Sequence, residues 1–388
     1  MINTPENHKC CGCNACVQRC PNQCITMQED EKGFFYPIVD KDTCIDCGFC
    51  DKVCPIQNPN APCSPIQVCA AKNKNEQLRL SSSSGGVFVL LANEILEDGG
   101  VVFGARFDEN WEVEHCYVES VEDLDSLMRS KYVQSRIGNT YKETEQFLKI
   151  GRKVLFVGTS CQIAGLKRYL RKEYDDLLTV DFICHGVPSP AVWRKYLREI
   201  KANNIKSIKF REKQGEDLSW RKFGLTVEGE DGFISSKSLM EDTYLRGFLG
   251  DLYLRPSCHD CPAKAGKSVS DITMADYWGV HATFPKWDDN KGVSLLIINN
   301  GKGTSFLKKI ESLLDCEEIG LEDIRTANES YFKSPKQPKA SIKFWNQFPN
   351  MSLKENVDSC LYVPAWRKFM DVFCTYTTIA FKKLTGRL

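Results

Sequence analysis

The sequence lacks several features that would place it in common functional classes. Its 388 residues carry 51 basic and 51 acidic side chains, so no overall positive field attracts nucleic acid or anionic lipid. No apolar run approaches the roughly 18 residues of a membrane-spanning helix, and the most apolar stretch, residues 369–381, is interrupted by Asp371 and threonines. The G-x-G-x2-G motif is missing, so a Rossmann site for NAD is unsupported. We therefore expect neither nucleic-acid binding nor a transmembrane segment.

Cysteine, by contrast, is abundant, with 20 in the chain. The first residues are polar and no signal peptide is recognisable, so disulfides of a secreted protein are not the expected explanation. Thiolates that bind metal must stay reduced, which favours a cytoplasmic location. The hydrophobic content of 42% is that of a globular protein, and the length predicts two or three domains.

One cysteine motif occurs twice near the start of the chain. The copies are Cys10-x2-Cys13-x2-Cys16-x3-Cys20-Pro21 and Cys44-x2-Cys47-x2-Cys50-x3-Cys54-Pro55. Zinc knuckles also use C-x2-C spacing, but a tetrahedral ion has no use for the third cysteine step or the terminal Cys-Pro. The motif resembles that of bacterial two-cluster ferredoxins, in which three close thiolates bind one 4Fe–4S cube and the fourth binds the other cube.

The ferredoxin rule divides these cysteines into two ligand sets. One cluster is held by Cys10, Cys13, Cys16 and Cys54, and the second by Cys44, Cys47, Cys50 and Cys20. Cys11 and Cys24 are left over, and we interpret them as neighbours of the clusters, not as ligands. Residues 33–39 have the strand character of the small hairpins that pack on such clusters. We expect a small α+β, bacterial-type 2x4Fe–4S ferredoxin domain over residues 1–62, closed by a turn-rich linker.

Beyond residue 62, predicted strands and helices alternate. Strands are predicted at residues 66–71, 101–105, 154–157 and 178–183, and helices near residues 87–95, 124–129, 141–150 and 162–170. This alternation predicts an α/β core, a mixed sheet with flanking helices, over residues 63–330. Residues 331–388 form a C-terminal tail, helical in part, for which the sequence suggests no role.

A second set of cysteines lies on loops of the predicted core. Its members are Cys161, Cys184, Cys258 and Cys261. A Cys-x2-Cys pair with two distant strand-end cysteines is typical of a metal site, and the spacing leaves zinc and an iron–sulfur cluster both open. His185 and His259 flank these cysteines, and we expect them to donate hydrogen bonds to ligand sulfur, with proton relay as the alternative.

Five blocks of sequence occur in order across this region. They are Ser82-Ser83-Ser84-Gly85-Gly86-Val87, Lys131-Tyr132-Val133-Gln134-Ser135, Gly158-x2-Cys161-Gln162-Ile163-Ala164-Gly165-Leu166, Cys184-His185-Gly186-Val187-Pro188-Ser189-Pro190 and Ser270-Asp271-Ile272-Thr273-x2-Asp276-x2-Gly279. With the ferredoxin-type motifs they resemble the coenzyme F-420 hydrogenase/dehydrogenase beta-subunit family. In that family the equivalent cysteines hold a 4Fe–4S cluster beside FAD. The resemblance therefore implies a third 4Fe–4S cluster on Cys161, Cys184, Cys258 and Cys261.

The resemblance also implies an FAD site. The residues that open a predicted helix and could meet the flavin pyrophosphate are Ser82, Ser83, Ser84, Gly85 and Gly86. From the residues alone, a serine N-cap with glycines for close packing is the better explanation of this pattern. Further candidates for flavin contacts are Lys131, Tyr132 and Gln134, which would otherwise belong to an amphipathic strand.

These features predict an iron–sulfur flavoprotein oxidoreductase. FAD would exchange a hydride with the deazaflavin F-420 or another small-molecule substrate, and electrons would pass to the 4Fe–4S clusters. The alternative is an electron-relay subunit of a larger redox complex, in which a partner carries out the hydride chemistry. Either function requires a redox partner protein or a soluble electron carrier. The sequence identifies no catalytic acid or base.

Overall fold

The computed structural model describes residues 7–200 and 204–362. The strands are β1 Ile25–Glu29, β2 Phe35–Val39, β3 Gln67–Asn73, β4 Val101–Phe107, β5 Val113–Val118, β6 Val154–Thr159, β7 Leu177–Phe182, β8 Ile205–Glu212, β9 Gly224–Gly229, β10 Ile234–Ser238, β11 Ile272–Asp276, β12 Ser294–Ile298 and β13 Leu314–Glu318. The α-helices are α1 Ala15–Arg19, α2 Phe49–Lys52, α3 Glu76–Ser81, α4 Val87–Glu97, α5 Thr140–Lys149, α6 Ser160–Leu170, α7 Pro190–Glu199, α8 Thr243–Leu249, α9 Val280–Thr283, α10 Gly301–Ile310, α11 Lys339–Gln347 and α12 Leu353–Leu361. Within these residues no helix is long and apolar enough to cross a membrane, and the apolar stretch at 369–381 lies outside them.

A mixed eight-stranded sheet forms the centre of the fold, in the order β13-β3-β12-β11-β7-β6-β4-β5. Strands β11, β7, β6 and β4 are parallel to one another, and antiparallel strands extend the sheet on both sides. Since β6 and β7 are adjacent and parallel, with Val157 opposite Val180, the loops after both strands leave the same edge of the sheet. The fold class expected from the sequence is confirmed.

Side chains that alternate along the central strands build two apolar cores. Val102 of β4 and Leu155 of β6 pack in the cluster that contains helix α4, whereas Phe103 and Phe156 pack in the cluster that contains helix α6. Burial of each such side chain contributes about 2 kcal/mol. The apolar stripe predicted for the first of these helices is buried as expected, at Val87, Leu90, Leu91 and Ile95.

The segment that contains the two cysteine motifs forms a hairpin, β1 and β2, and two short helices. Each helix follows a residue in the left-handed region, Asn14 with φ 64° before α1 and Gly48 with φ 70° before α2. Asparagine and glycine adopt this conformation at low cost. The left-handed residue lets each motif turn from its second cysteine into the helix that carries its third, Cys16 in α1 and Cys50 in α2.

This segment packs directly on the helices of the larger sheet. The side-chain oxygen of Gln18 accepts hydrogen bonds, both 3.1 Å, from the backbone N–H groups of Tyr141 and Lys142, which begin helix α5 and lack partners within it. Cys13 lies in the same apolar cluster as helix α6, and a Cβ added at Gly165 would stand 3.0 Å from its sulfur. The segment therefore shares a core with the main sheet.

A second, three-stranded antiparallel sheet, β10-β9-β8, packs with helices α7 and α8 around an aromatic cluster. Trp193 of α7 is fully buried there, and Phe344 of α11 and Val357 of α12 are buried in the same cluster. The described part of the C-terminal tail is helical and shares this core.

Candidate iron–sulfur and flavin sites

The loops at the carboxyl ends of β6 and β7 carry the first two cysteines of the core set. Strand β6 passes straight into helix α6, where the Gln162 side chain accepts a 2.8 Å hydrogen bond from the Thr159 N–H and closes the turn around Cys161. Cys184 follows β7 on the neighbouring strand, and the 3-10 helix Pro256–Asp260 brings the Cys-x2-Cys pair to the same edge.

These four cysteines line one cavity, which we call the core cavity. Its lining includes Cys161, Cys184, Cys258 and Cys261. Burial raises the pKa of the Cys258 thiol to about 12, so a thiolate there requires a positive charge such as that of bound iron. The hydroxyl oxygen of Thr159 lies 3.1 Å from the Cys161 sulfur, and the Val187 N–H donates to the Cys258 sulfur at 3.4 Å. Hydrogen bonds to sulfur are typical of iron–sulfur sites.

Two further cavities lie within residues 10–56. The first module cavity is lined by Cys10, Cys13, Cys16 and Cys54, and the second module cavity by Cys20, Cys44, Cys47 and Cys50. These are the two sets that the ferredoxin rule assigns, with the fourth cysteine of each motif placed at the other motif's cavity. The donor set of each cavity fits a 4Fe–4S cluster. In the part of the chain described, no group of three His, Cys, Asp or Glu side chains is arranged to hold a single metal ion.

The two cysteines left over by the ferredoxin rule also lie at the cavities. The sulfur of Cys24 is 3.3 Å from that of Cys20 and lines the second module cavity. Cys11 is buried and lines both the first module cavity and the core cavity, within hydrogen-bonding distance of Cys13 and Cys161. The spacing of the motifs places Cys11 near one cluster, but only the fold shows that it separates two sites.

The serines predicted to bind flavin form the loop between helices α3 and α4. Ser82 donates to the Leu78 carbonyl at 2.7 Å, and Ser84 donates to the Val293 carbonyl at 3.0 Å. Ser83 accepts a hydrogen bond from the Ser130 N–H at 2.9 Å, which brings the loop beside residues 131 and 132. The structure therefore brings the serine loop together with two of the three further flavin candidates.

The two glycines of this loop pack against the chain itself. A Cβ at Gly85 would lie 2.5 Å from the Ala71 carbonyl oxygen and 2.6 Å from the Ser294 nitrogen, on strands β3 and β12. Gly86 has φ +79° and forms the N-cap of α4, a conformation that favours glycine. Close packing and helix capping account for both residues.

The remaining flavin candidates separate into two places. Lys131 donates to the Met128 carbonyl at 2.7 Å, and burial lowers the pKa of its ammonium group to about 7. The Tyr132 ring packs against Phe248, with centroids 5.1 Å apart. Gln134 instead lines the core cavity, where its Nε2 donates to the Cys11 carbonyl at 3.3 Å.

Two buried cations on and after strand β8 approach the serine loop, and sequence reasoning did not select them. Arg211 donates to the Ser83 carbonyl at 3.3 Å, and Lys213 donates to the Ser84 carbonyl at 3.3 Å. Burial lowers the pKa of Lys213 to about 7. A buried lysine and arginine beside a polar loop are the groups that bind phosphate.

The two histidines beside the core cysteines have partners other than sulfur. The Nε2 of His185 lies 2.5 Å from the Asp251 carboxylate, and its Nδ1 lies 3.4 Å from the Ser330 hydroxyl. The Nδ1 of His259 lies 3.0 Å from the Pro335 carbonyl. The expectation that His185 donates to ligand sulfur is therefore wrong, because Asp251 and Ser330 occupy both of its ring nitrogens.

The fifth sequence block has a structural role at the floor of the core cavity. Asp181 of β7 is fully buried and accepts hydrogen bonds from Ser270 at 2.7 Å, Thr273 at 2.6 Å and Ser268 at 2.6 Å. Burial raises the pKa of this carboxyl group. These hydroxyls join β7 to β11 below the site.

Comparison with known proteins identifies two domains in the chain. Residues 151–323 match the family model that describes the C terminus of the coenzyme F420 hydrogenase/dehydrogenase beta subunit. The chain carries this beta-subunit domain. Residues 9–58 match the model of a 4Fe-4S dicluster domain. The resemblance predicted from the sequence is confirmed, and with it an iron–sulfur protein of an oxidoreductase family.

Two curated relatives are named for F420. The coenzyme F420-dependent sulfite reductase of Methanocaldococcus jannaschii is 29% identical over 336 residues, which cover 84% of this chain and 49% of that protein. One of the subunits of the F(420)H(2) dehydrogenase of Methanosarcina mazei is 24% identical over 297 residues, 70% of this chain and 78% of that protein. The chain thus spans about half the length of the sulfite reductase.

Among solved structures, the F420-reducing [NiFe] hydrogenase complex from Methanosarcina barkeri contains a similar chain. The match has a TM-score of 0.47 and 16% identity, and covers 71% of this chain and 97% of that one.

Proposed function

We propose that this protein is an iron–sulfur flavoprotein that transfers electrons between a hydride carrier, met at FAD, and a redox partner, through three 4Fe–4S clusters. One observation carries the proposal: the cysteines selected from the sequence fall into three cavities, four to each. A bound 4Fe–4S cluster supplies one-electron transfer. The protein's own task is to hold the thiolates, exclude water and fix the three sites relative to one another.

The arrangement of the cavities supports a relay with a fixed order. The core cavity and the first module cavity share Cys11 as a common wall, and the first and second module cavities exchange ligands through Cys20 and Cys54. Electrons that enter at the core cavity therefore have neighbouring sites to move to without a change of conformation.

The proposed FAD position is the serine loop with Lys131 and Tyr132. Support comes from the buried cations Arg211 and Lys213, whose contacts with the loop suit a pyrophosphate. Both curated relatives have F420 in their names, so we propose a deazaflavin as the hydride carrier. At the core cavity the pair His185 and Asp251 is placed to hold a proton, which hydride oxidation releases along with two electrons.

A second candidate function is an electron-relay subunit without its own flavin. The observation that favours it is the packing of Gly85 and Gly86, which explains both glycines without a cofactor. The dehydrogenase relative is by name one subunit of a larger enzyme, which supports a redox partner protein in either case. We propose a cytoplasmic location because the cysteines of all three sites must stay reduced.

Cofactor analysis of anaerobically purified protein tests both functions. The proposal predicts about twelve irons and about twelve sulfides per chain, with one FAD and no stoichiometric zinc. About eight irons with one zinc would contradict the third cluster and leave the ferredoxin-type clusters in place. A full complement of iron without flavin would contradict the flavoprotein and favour the relay subunit.

A further inference from the structure

Arg255 is a fully buried arginine at the boundary between the core cavity and the first module cavity. Its exposed fraction is 0%, and it directly precedes the 3-10 helix that carries Cys258. It lines the core cavity together with Cys161. Its Nε donates at 2.7 Å to the carbonyl oxygen of Cys10, whose residue lines the first module cavity. The guanidinium therefore lies between two sets of proposed cluster ligands.

The hydrogen bonds of this guanidinium end on neutral oxygen atoms. Besides Cys10, its Nη2 donates to the Phe35 carbonyl at 2.9 Å, and its Nη1 donates to the side-chain oxygen of Gln134 at 2.9 Å. It also lies over the Tyr36 ring, 4.4 Å from the centroid. These contacts satisfy its donors but leave its positive charge uncompensated. A buried charge is strongly unfavourable unless an opposite charge lies nearby.

Two other buried arginines show the more usual arrangement. Arg79 forms an ion pair with Asp289 at 2.5 Å, and Arg211 forms one with Asp276 at 2.9 Å. Arg255 is more deeply buried than either, yet none of its three bonds reaches a carboxylate. The charge that it requires must come from whatever the two adjacent cavities hold.

The first cysteine motif is shaped around this side chain. Gly12, between Cys11 and Cys13, has φ +70°, and a Cβ there would stand 3.0 Å from Nη1 of Arg255 and 2.8 Å from Nε2 of Gln134. Glycine at this position allows the motif to approach the guanidinium closely, which fixes the distance between the cation and both ligand sets.

We propose that Arg255 is a positioning residue that serves as the shared counter-charge of the clusters in the core cavity and the first module cavity, and that it raises the reduction potentials of both. The inference rests on the proposed function, which places thiolate-bound clusters in these cavities. Such a cluster is anionic, and reduction adds one electron without making or breaking a bond. A fixed cation nearby stabilises the reduced form, as a neighbouring cation lowers the pKa of an acid by about 1–3 units.

Redox titration of Arg255→Gln, followed by EPR, tests the proposal. The variant should keep the wild-type iron content, and the equilibrium constant for reduction of the two adjacent clusters should fall about tenfold or more, which is about 59 mV for one electron. The cluster of the second module cavity lies away from Arg255 and should change little. It provides an internal control within the same protein.

A second variant neutralises the charge without removing the side chain. Gln134→Glu places a carboxylate on the Nη1 donor of Arg255, so the same two clusters should again become harder to reduce. The matched control is Arg194→Gln. Arg194 also joins the two parts of the chain, through an ion pair with Glu29, but its side chain is 33% exposed and it lines none of the three cavities described above. Its variant should titrate like the wild type.

Each contrary result has a distinct meaning. Unchanged potentials in Arg255→Gln and Gln134→Glu, at wild-type iron content, would overturn the counter-charge and leave the proposed function intact. An equal fall in Arg194→Gln would show that docking of the segment, not the charge of Arg255, sets the potentials. Wild-type protein with only about eight irons would contradict the third cluster and the shared role together.

Discussion

Single cysteine side chains test whether the three sites are independent. Cys258 lines the core cavity alone, whereas the module cavities take their cysteines from residues 10–54. Cys258→Ser should therefore remove about four irons per chain and preserve the EPR signals of the ferredoxin-type clusters. Iron analysis and EPR of the purified variant provide the measurement.

Cys360→Ser is the control for this change, because Cys360 lies in α12, outside the three cavities, and its sulfur contacts Asn356 at 3.5 Å. The control should retain all of the iron. If Cys258→Ser also retains it, Cys258 is not a ligand.

A buried histidine gives the protein a defined sensitivity to acid. His115 contacts the Val157 carbonyl at 3.0 Å and the Ser135 hydroxyl at 2.8 Å, and burial lowers its pKa to about 4 from an ordinary value of 6.5. Between these values the unfolded chain binds the proton and the folded chain does not. Folding stability should therefore fall as the pH drops below about 6.5, by about 2 kcal/mol at pH 5 from this residue.

Urea unfolding at pH 7 and pH 5, followed by tryptophan fluorescence, measures this effect. His115→Gln keeps a neutral donor and acceptor and should lose about 2 kcal/mol less between the two pH values than the wild type. The exposed His281 supplies the comparison, since His281→Gln should behave as the wild type. Equal pH dependence in all three proteins would show that His115 is protonated in the folded state.

At the scale of elements, the loop between α3 and α4 depends on close contact with the sheet. A methyl group at Gly85 would overlap the backbone of β3 and β12, so Gly85→Ala should lower the free energy of unfolding by about 1–3 kcal/mol. Gly301, at the start of α10, has open space within 4 Å of the same added atom. Gly301→Ala should be neutral or slightly stabilising, and a similar result for Gly85→Ala would refute the packing explanation.

Apolar periodicity predicted the helices that span the main sheet but not every apolar stretch. Helices α4, α5 and α6 were expected within a residue or two of their observed bounds, because each has a buried stripe at helical spacing. Residues 124–129 have a similar pattern, with Leu124, Leu127 and Met128 buried, yet they form only the 3-10 turn Leu124–Ser126. Packing against the sheet explains the burial there without a regular helix.

The candidate sites show the same limit. The sets of cysteines at the module cavities follow a local spacing rule, and the core set follows from a family resemblance. Arg255 has no such signal, because its partner Cys10 is 245 positions away in the sequence. The partners that explain Gly85, at positions 71 and 294, are equally invisible from its neighbours in the chain.

At the scale of the whole molecule, the cysteine-rich segment and the sheet should unfold together. Cys13 and helix α6 belong to one apolar cluster, and Gln18 satisfies the first N–H groups of α5. Loss of the clusters' visible absorption and loss of tryptophan fluorescence should therefore occur at the same denaturant concentration. Two separate transitions would show that the segment is an independent domain.

The contact between the segment and the core also sets an order of events during synthesis. Residues 10–54 leave the ribosome long before Arg255 and the helices on which they pack. Cys13 and Cys16 are buried in the finished protein, so iron must reach them while that face is still uncovered. We infer that the ferredoxin-type clusters are built on the nascent chain. Accordingly, iron loading of the folded apoprotein should be slow in buffer and faster in mild urea, which opens the contact for a time. Cells that synthesise this protein under iron shortage would accumulate chains that have folded past the point of repair.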